Sequence, residues 1–197
     1  MFEYFPENYP WSLAVMGAAF LGAIGEIDEA CRPLREASKR NDHFAQQAWY
    51  ESWKKVAERV EALALAHEKE GQYLSAGRKY LRASVYYIAA ERMLSSRDPR
   101  KVQTYCQGIA AFKKGVQLRK EPVEWVEVPF QGKSLPALFS KASGKGRLPC
   151  MVHFDGFDIM KEIIYLRTAE EFRRRGISLL IVDHPGVGET DDHSHHA

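Results

Sequence analysis

Two continuous apolar runs near the C-terminus constrain the fold more than any other feature of the chain. "LPCMVHF" (148–154) and "ISLLIVD" (177–183) are each of strand length, and a helix-length segment (159–175) closed by Gly176 separates them. Uninterrupted apolar strands of this kind are expected where both sheet faces are covered. Strand, helix and strand at this spacing predict a parallel pair joined by a right-handed crossover. Upstream, "VEWVEVPF" (123–130) alternates as a half-buried strand does, "QGKS" turns, and "LPALFSK" (135–141) returns, with Pro136 predicting a strand start or an edge. Residues 121–190 therefore read as an antiparallel hairpin followed by a βαβ unit. The last strand is expected to leave a long apolar edge uncovered.

The period changes before residue 120. "HFAQQAWYESWKKVAERVEALALAHEKEG" (43–71) carries Phe44, Ala48, Trp49, Trp53, Val56, Val60, Leu63 and Leu65 at near-helical spacing. Tyr73, Ala76, Tyr80, Ala83, Tyr87 and Ala90 continue the pattern through 72–94. Asp98 and Pro99 look like an N-cap and first helical residue for a helix over 98–118. A further helix is expected over 26–39. Residues 12–25, "SLAVMGAAFLGAIG", are too short to span a bilayer and read as a buried helix of small residues. Residues 1–120 thus form a helical domain, 121–190 an incomplete α/β sheet domain, and 191–197 a disordered tail. The fold class is α/β.

Composition narrows the function. Lys+Arg number 28 against Asp+Glu 26, for a net charge of +2. That balance offers no electrostatic case for a nucleic-acid partner, and "RRR" at 173–175 reads as the solvated end of a helix. Three scattered cysteines, Cys31, Cys106 and Cys150, lack metal-ligand spacing and read as reduced thiols of a cytoplasmic protein. Cys150, inside an apolar run, reads as a small core residue. No membrane partner is expected. Asp191, Asp192, His193, His195 and His196 are potential chelators without fixed geometry, so no metal site is assigned.

Chemistry concentrates at the carboxyl ends of the two apolar runs, where open α/β sheets bind ligands. In Asp155-Gly156-Phe157-Asp158, Gly156 has the freedom to aim the next amide into the crevice, where the Phe157 N–H would stabilise an oxyanion. The plain alternative is a βα turn with Asp158 as helix cap. Asp183-His184-Pro185-Gly186-Val187-Gly188-Glu189 follows the second run. Its G-x-G lacks the third glycine of a dinucleotide loop, so a proline-glycine turn is the preferred reading and no cofactor is implied.

Together, "VHFDGFDIMKE" and "LLIVDHPGVGET" resemble the opening strands of α/β-hydrolases. The closer likeness is to the helical-cap group that includes 2,6-dihydroxypseudooxynicotine hydrolase, FrsA-type esterases and fungal polyketide-shortening hydrolases. "EGQYLSAGRKYLRASVYYIAAERML" is similar to the paired helices of their N-terminal domain. The resemblance implies a Ser-His-Asp hydrolase cleaving esters or carbon–carbon bonds beside a carbonyl, with the helical domain capping an aromatic or ketide-like small-molecule substrate. It implies an oxyanion-hole role for the Phe157 N–H, assisted by Gly156, and places Asp155, Asp158 and His184 near substrate. The chain departs from the group in having no G-x-S-x-G nucleophile turn: Ser75 precedes Gly77 but follows Tyr73, and Ser143 lies between Lys141 and Lys145. The triad is accordingly expected beyond Ala197, and the isolated chain is expected to be inactive. The other reading is a non-catalytic helical-hairpin interaction module. Uncovered sheet surface points to self-association, a homodimer being its simplest form.

Overall fold

The computed structural model describes residues 3–154, 156 and 159–190. The expected tail over 191–197 lies outside the described residues. The chain divides into two compact units, one ending at Lys120 and the other beginning at Glu121.

The first unit is helical. α1 (Tyr9–Ala19) starts where the Asn8 side chain accepts the Trp11 N–H at 3.1 Å, with Pro10 in its first turn. It ends sooner than the apolar run implied, and Phe20 and Ile24 face solvent. α2 (Ile24–Cys31) is also shorter than the expected 26–39 helix. Two 3₁₀ turns, Arg32–Leu34 and Ala37–Lys39, follow it, because Pro33 has no N–H with which to continue an α-helical ladder. α3 (His43–Lys69) and α5 (Pro99–Arg119) begin at aspartate caps: Asp42 accepts the Ala45 N–H at 2.9 Å and Asp98 the Arg100 N–H at 3.0 Å.

α4 (Tyr73–Glu91) packs against both α3 and α5. Its approach to α5 is close because glycines meet there. A Cβ on Gly77 would lie 2.9 Å from the Gly115 carbonyl, and one on Gly115 would lie 2.6 Å from Leu81 Cδ2. The core of this unit is aromatic. Phe5, Trp11, Trp49, Trp53 and Tyr86 form a run of ring contacts with centroids 4.8–5.9 Å apart. Trp49 Nε1 donates to the Ala89 carbonyl at 2.7 Å, and the Tyr86 hydroxyl donates to Glu26 at 2.6 Å while accepting the Ala23 N–H, whereas the buried Trp53 Nε1 has no hydrogen-bond acceptor among the described residues. Of the apolar positions expected to be inside, Trp49, Trp53, Val56, Val60, Tyr80 and Tyr87 are buried. Phe44, Leu63, Leu65 and Tyr73 are exposed, and Ala45, Tyr50 and Ala64 are buried instead. The middle of the α3 stripe is the expected one, and the departures lie toward its ends, at Phe44, Leu63 and Leu65.

The second unit is a four-stranded mixed sheet with one described helix. β1 (Val123–Phe130) and β2 (Lys133–Ser140) form an antiparallel hairpin. Its two turn residues, Gln131 and Gly132, have φ of 48° and 77°, as the tightest right-twisted hairpin turn requires. β3 (Cys150–His153) pairs in parallel with β4 (Ser178–Val182) across α6 (Lys161–Arg174), as the apolar runs predicted. α6 packs on β2 and β4 and stops at Gly176, with φ of 72°.

The strand order β1-β2-β4-β3 differs from the sequence reading in two ways. β4 also pairs antiparallel with β2, so it is an interior strand, with Leu179, Ile181 and Val182 buried and Leu180 partly so. β2 is likewise interior, and Pro136 sits one residue before its stretch of pairing with β4. Among the described residues the edge strands are β1 and β3. Cys150, Met151, Val152 and Phe154 are exposed rather than core, since no described element covers the β3 margin. All three cysteines are free thiols, Cys31 buried and Cys106 and Cys150 exposed. Arg174 and Arg175 are exposed and paired with Glu170 and Glu171 along α6, the solvated helix end expected of the arginine run. No helix among the described residues is long and apolar enough to cross a membrane.

Candidate active site

β3 and β4 are parallel, so His153 and Val182 deliver their following loops to the same margin of the sheet. The loop after β3 leads to α6 and the loop after β4 to the 3₁₀ turn Gly188–Thr190. Asp155, Phe157 and Asp158 lie outside the described residues, as do Asp191, Asp192, His193, His195 and His196. Gly156 is exposed and accepts the Ile159 N–H at 3.4 Å. It is not in the left-handed region, and open space surrounds the position of its absent Cβ. Neither a positive φ nor a close approach calls for glycine there.

His184 is half-buried at the head of the second loop, with Nδ1 3.2 Å from the Pro185 carbonyl oxygen. Its own carbonyl accepts the Val187 N–H at 3.1 Å and the Thr190 hydroxyl. Gly186 and Gly188 have φ of 86° and 58°. The segment is the proline-glycine turn that its composition indicated.

What joins the two loops is a buried ionic cluster that the sequence reading did not single out. Lys161, the first residue of α6, has a side chain with no exposure at all. Its ammonium lies 2.8 Å from Asp183 Oδ2, 2.8 Å from Glu189 Oε2 and 2.9 Å from Glu162 Oε1. Asp183 also accepts the Lys161 backbone N–H on Oδ1 at 2.7 Å. The cap of α6 is therefore an acid from the end of β4, reaching across 22 residues, while the residue before the helix, Met160, makes no capping bond. Gly188 is required beside it: any Cβ there would collide with the Asp183 carboxylate. Burial works against the Lys161 charge, yet Glu162, Asp183 and Glu189 outweigh it and hold the ammonium above the ordinary lysine range. Burial has the opposite consequence for Glu162, whose carboxyl is pushed up to about 7, with the Asp183 charge adding to the effect. The available signal was a lysine and a glutamate opening an apolar helix, paired with an acid closing an apolar strand. Charges at such positions are either solvated or paired with one another. Among the described residues no three His, Cys, Asp or Glu side chains are grouped to hold a metal.

A helical unit followed by an antiparallel hairpin and a parallel strand–helix–strand, with two loops meeting at the carboxyl margin, is the opening of an α/β-hydrolase. A crystal structure of 2,6-dihydroxy-pseudo-oxynicotine hydrolase superposes with a TM-score of 0.68 at 20% identity, over 88% of this chain and 46% of that one. AbyA5 superposes with a TM-score of 0.60 at 18% identity, over 91% and 46%. The family model for FrsA-like esterases matches residues 43–195, and the chain belongs to that family. Alpha/beta hydrolase xenA of Xenoacremonium sinensis is 31% identical, over 88% of this chain and 41% of that protein. The 20-hydroxy-prefusarin hydrolase FUS2 of Gibberella moniliformis is 31% identical, over 72% and 36%. The chain spans less than half the length of the relatives it matches.

Proposed function

We propose that the chain is the cap-bearing portion of a cytoplasmic serine hydrolase that cleaves an ester, or a carbon–carbon bond beside a carbonyl, in an aromatic or polyketide-like small molecule. The observation that carries this reading is the family match running from the helical unit through both loops. A neighbour and a relative whose names describe hydrolysis of an oxynicotine and of a prefusarin support the substrate class. In this reading a serine supplied by further polypeptide attacks the carbonyl carbon. The Phe157 N–H, following Gly156, donates to the oxygen as its charge develops. Asp155, Asp158 and His184 line the approach of the substrate.

The test has two arms. The purified 197-residue chain should not turn over p-nitrophenyl butyrate in a way that any of its own serines controls. Coding sequence continuous with this chain should contain a G-x-S-x-G strand–turn–helix, and changing that serine to alanine in the longer protein should abolish turnover. Turnover by the short chain that is lost on changing one of its own serines, or a continuation without such a serine, would overturn the reading.

A second reading, a non-catalytic module that self-associates as a homodimer, is favoured by the open β3 edge with Met151, Val152 and Phe154 about half exposed. It predicts a concentration-dependent sedimentation coefficient for the wild type that Val152→Lys removes.

A further inference from the structure

Lys161, Glu162 and Asp183 meet at the junction of α6 and β4 with side-chain exposures of 0%, 1% and 1%. Glu189 reaches the same ammonium from the 3₁₀ turn but keeps 33% of its side chain in solvent. Fully ionised, the dry trio would carry one positive and two negative charges. A buried charge without a counter-charge is strongly unfavourable, and a titratable group in that position takes up or loses a proton instead.

The two buried carboxyls are not equivalent. Asp183 is hydrogen-bonded as an anion: Oδ1 accepts the Lys161 N–H at 2.7 Å, and Oδ2 accepts Lys161 Nζ at 2.8 Å and the Glu189 N–H at 3.3 Å. Glu162 is held less firmly as an anion: Oε1 lies 2.9 Å from the ammonium without the alignment of a hydrogen bond, and burial together with the Asp183 charge outweighs the contacts from Lys161 and its own backbone amide that favour ionisation. Hydrogen bonds to the charged form favour it, so the negative charge belongs on Asp183 and the proton on Glu162.

We infer that the α6–β4 junction is closed by a bound proton: Glu162 is a neutral carboxylic acid in the folded protein, and its ionisation weakens the second unit. The charged groups facing Glu162 are Lys161 on α6 and Asp183 at the end of β4, while Glu189 on the turn reaches the same ammonium. With Glu162 neutral, the three buried groups sum to zero charge. The sense of the pH dependence follows. In the unfolded chain Glu162 ionises near the ordinary 4.5, whereas in the folded chain it does so near 7. Between those values the folded state holds the extra proton, so stability falls as pH rises through the window and is level above it.

The test is a carbon-13 titration of the wild-type chain labelled at the glutamate carboxyl, with Glu162 assigned through its connection to Lys161 and Ile163. The expected result is one glutamate carboxyl that stays protonated through about pH 6, while the others titrate in the ordinary range. Ionisation of every glutamate in the ordinary range would overturn the proposal. Urea midpoints give an independent reading. Glu162→Gln mimics the neutral acid, so its folding equilibrium constant should gain on the wild type by tenfold or more between about pH 5 and pH 8. Parallel curves would also overturn the proposal. The titration needs only the wild-type chain and stands whether or not the variant folds.

Discussion

One Lys161 ammonium meets Asp183 and Glu162 in the buried interior and Glu189 at its partly exposed rim, and Asp183 cannot be satisfied without it. Lys161→Met keeps most of the stem but leaves Asp183 as a buried anion lacking its cation. Removing one member of a buried pair costs about 3–5 kcal/mol, and urea unfolding followed at the amides of β4 should show that loss in the second unit alone. Gly188 is a second residue with no tolerated replacement. Its φ of 58° already disfavours a side chain, and the Asp183 carboxylate occupies the space a Cβ would need. Gly188→Ala should destabilise by about 1–3 kcal/mol, whereas Gly25→Ala, where the added carbon meets nothing, should not. A fully retained urea midpoint in Gly188→Ala would contradict the geometry. At this scale the sequence was only partly legible. The Gly-x-Gly turn could be recognised, but its partner lies 22 residues away and was found only once β4 and α6 were packed.

Elements were most legible where local signals agreed. The Asp98 cap of α5, the Gln131–Gly132 turn and the Gly176 stop all lie where the residues imply. The errors arose where a local apolar pattern stood in for a neighbour. Phe44 and Leu65 are large and apolar but lie off the face that α4 covers, and alanines fill that face instead. The α4–α5 crossing shows why small residues are needed there. Gly115→Ala should raise the intrinsic helix propensity of α5 by about 1 kcal/mol. It should nonetheless destabilise the first unit, because overpacking against Leu81 and the Gly77 carbonyl costs about 1–3 kcal/mol. The thermal midpoint of the α4 and α5 amides should fall. A rise would mean the helices separate without penalty.

For the whole molecule, the two units should respond to pH in opposite senses. Burial tends to raise the Glu26 carboxyl, but hydrogen bonds from Arg82 and Tyr86 outweigh it and hold it below the usual range. That stabilisation is present above the unfolded value of 4.5 and is lost as pH falls through the lower folded value. The first unit should therefore weaken in acid, and Glu26→Gln should blunt that response. The second unit, governed by Glu162, should weaken as pH rises toward 7. Hydrogen exchange read separately over α3–α5 and β2–β4 would resolve the two trends, and a common trend would refute the assignment. What the sequence determined by itself is the change of period near residue 120, the strand–helix–strand order and the family-like loops, because these depend on neighbours in the chain. Which strand lies inside the sheet, that Cys150 and Val152 stay exposed, and that Lys161 clasps Asp183 were decided only by tertiary structure. Strand pairing and charge burial join residues distant in sequence, and no local pattern encodes which partner each will meet.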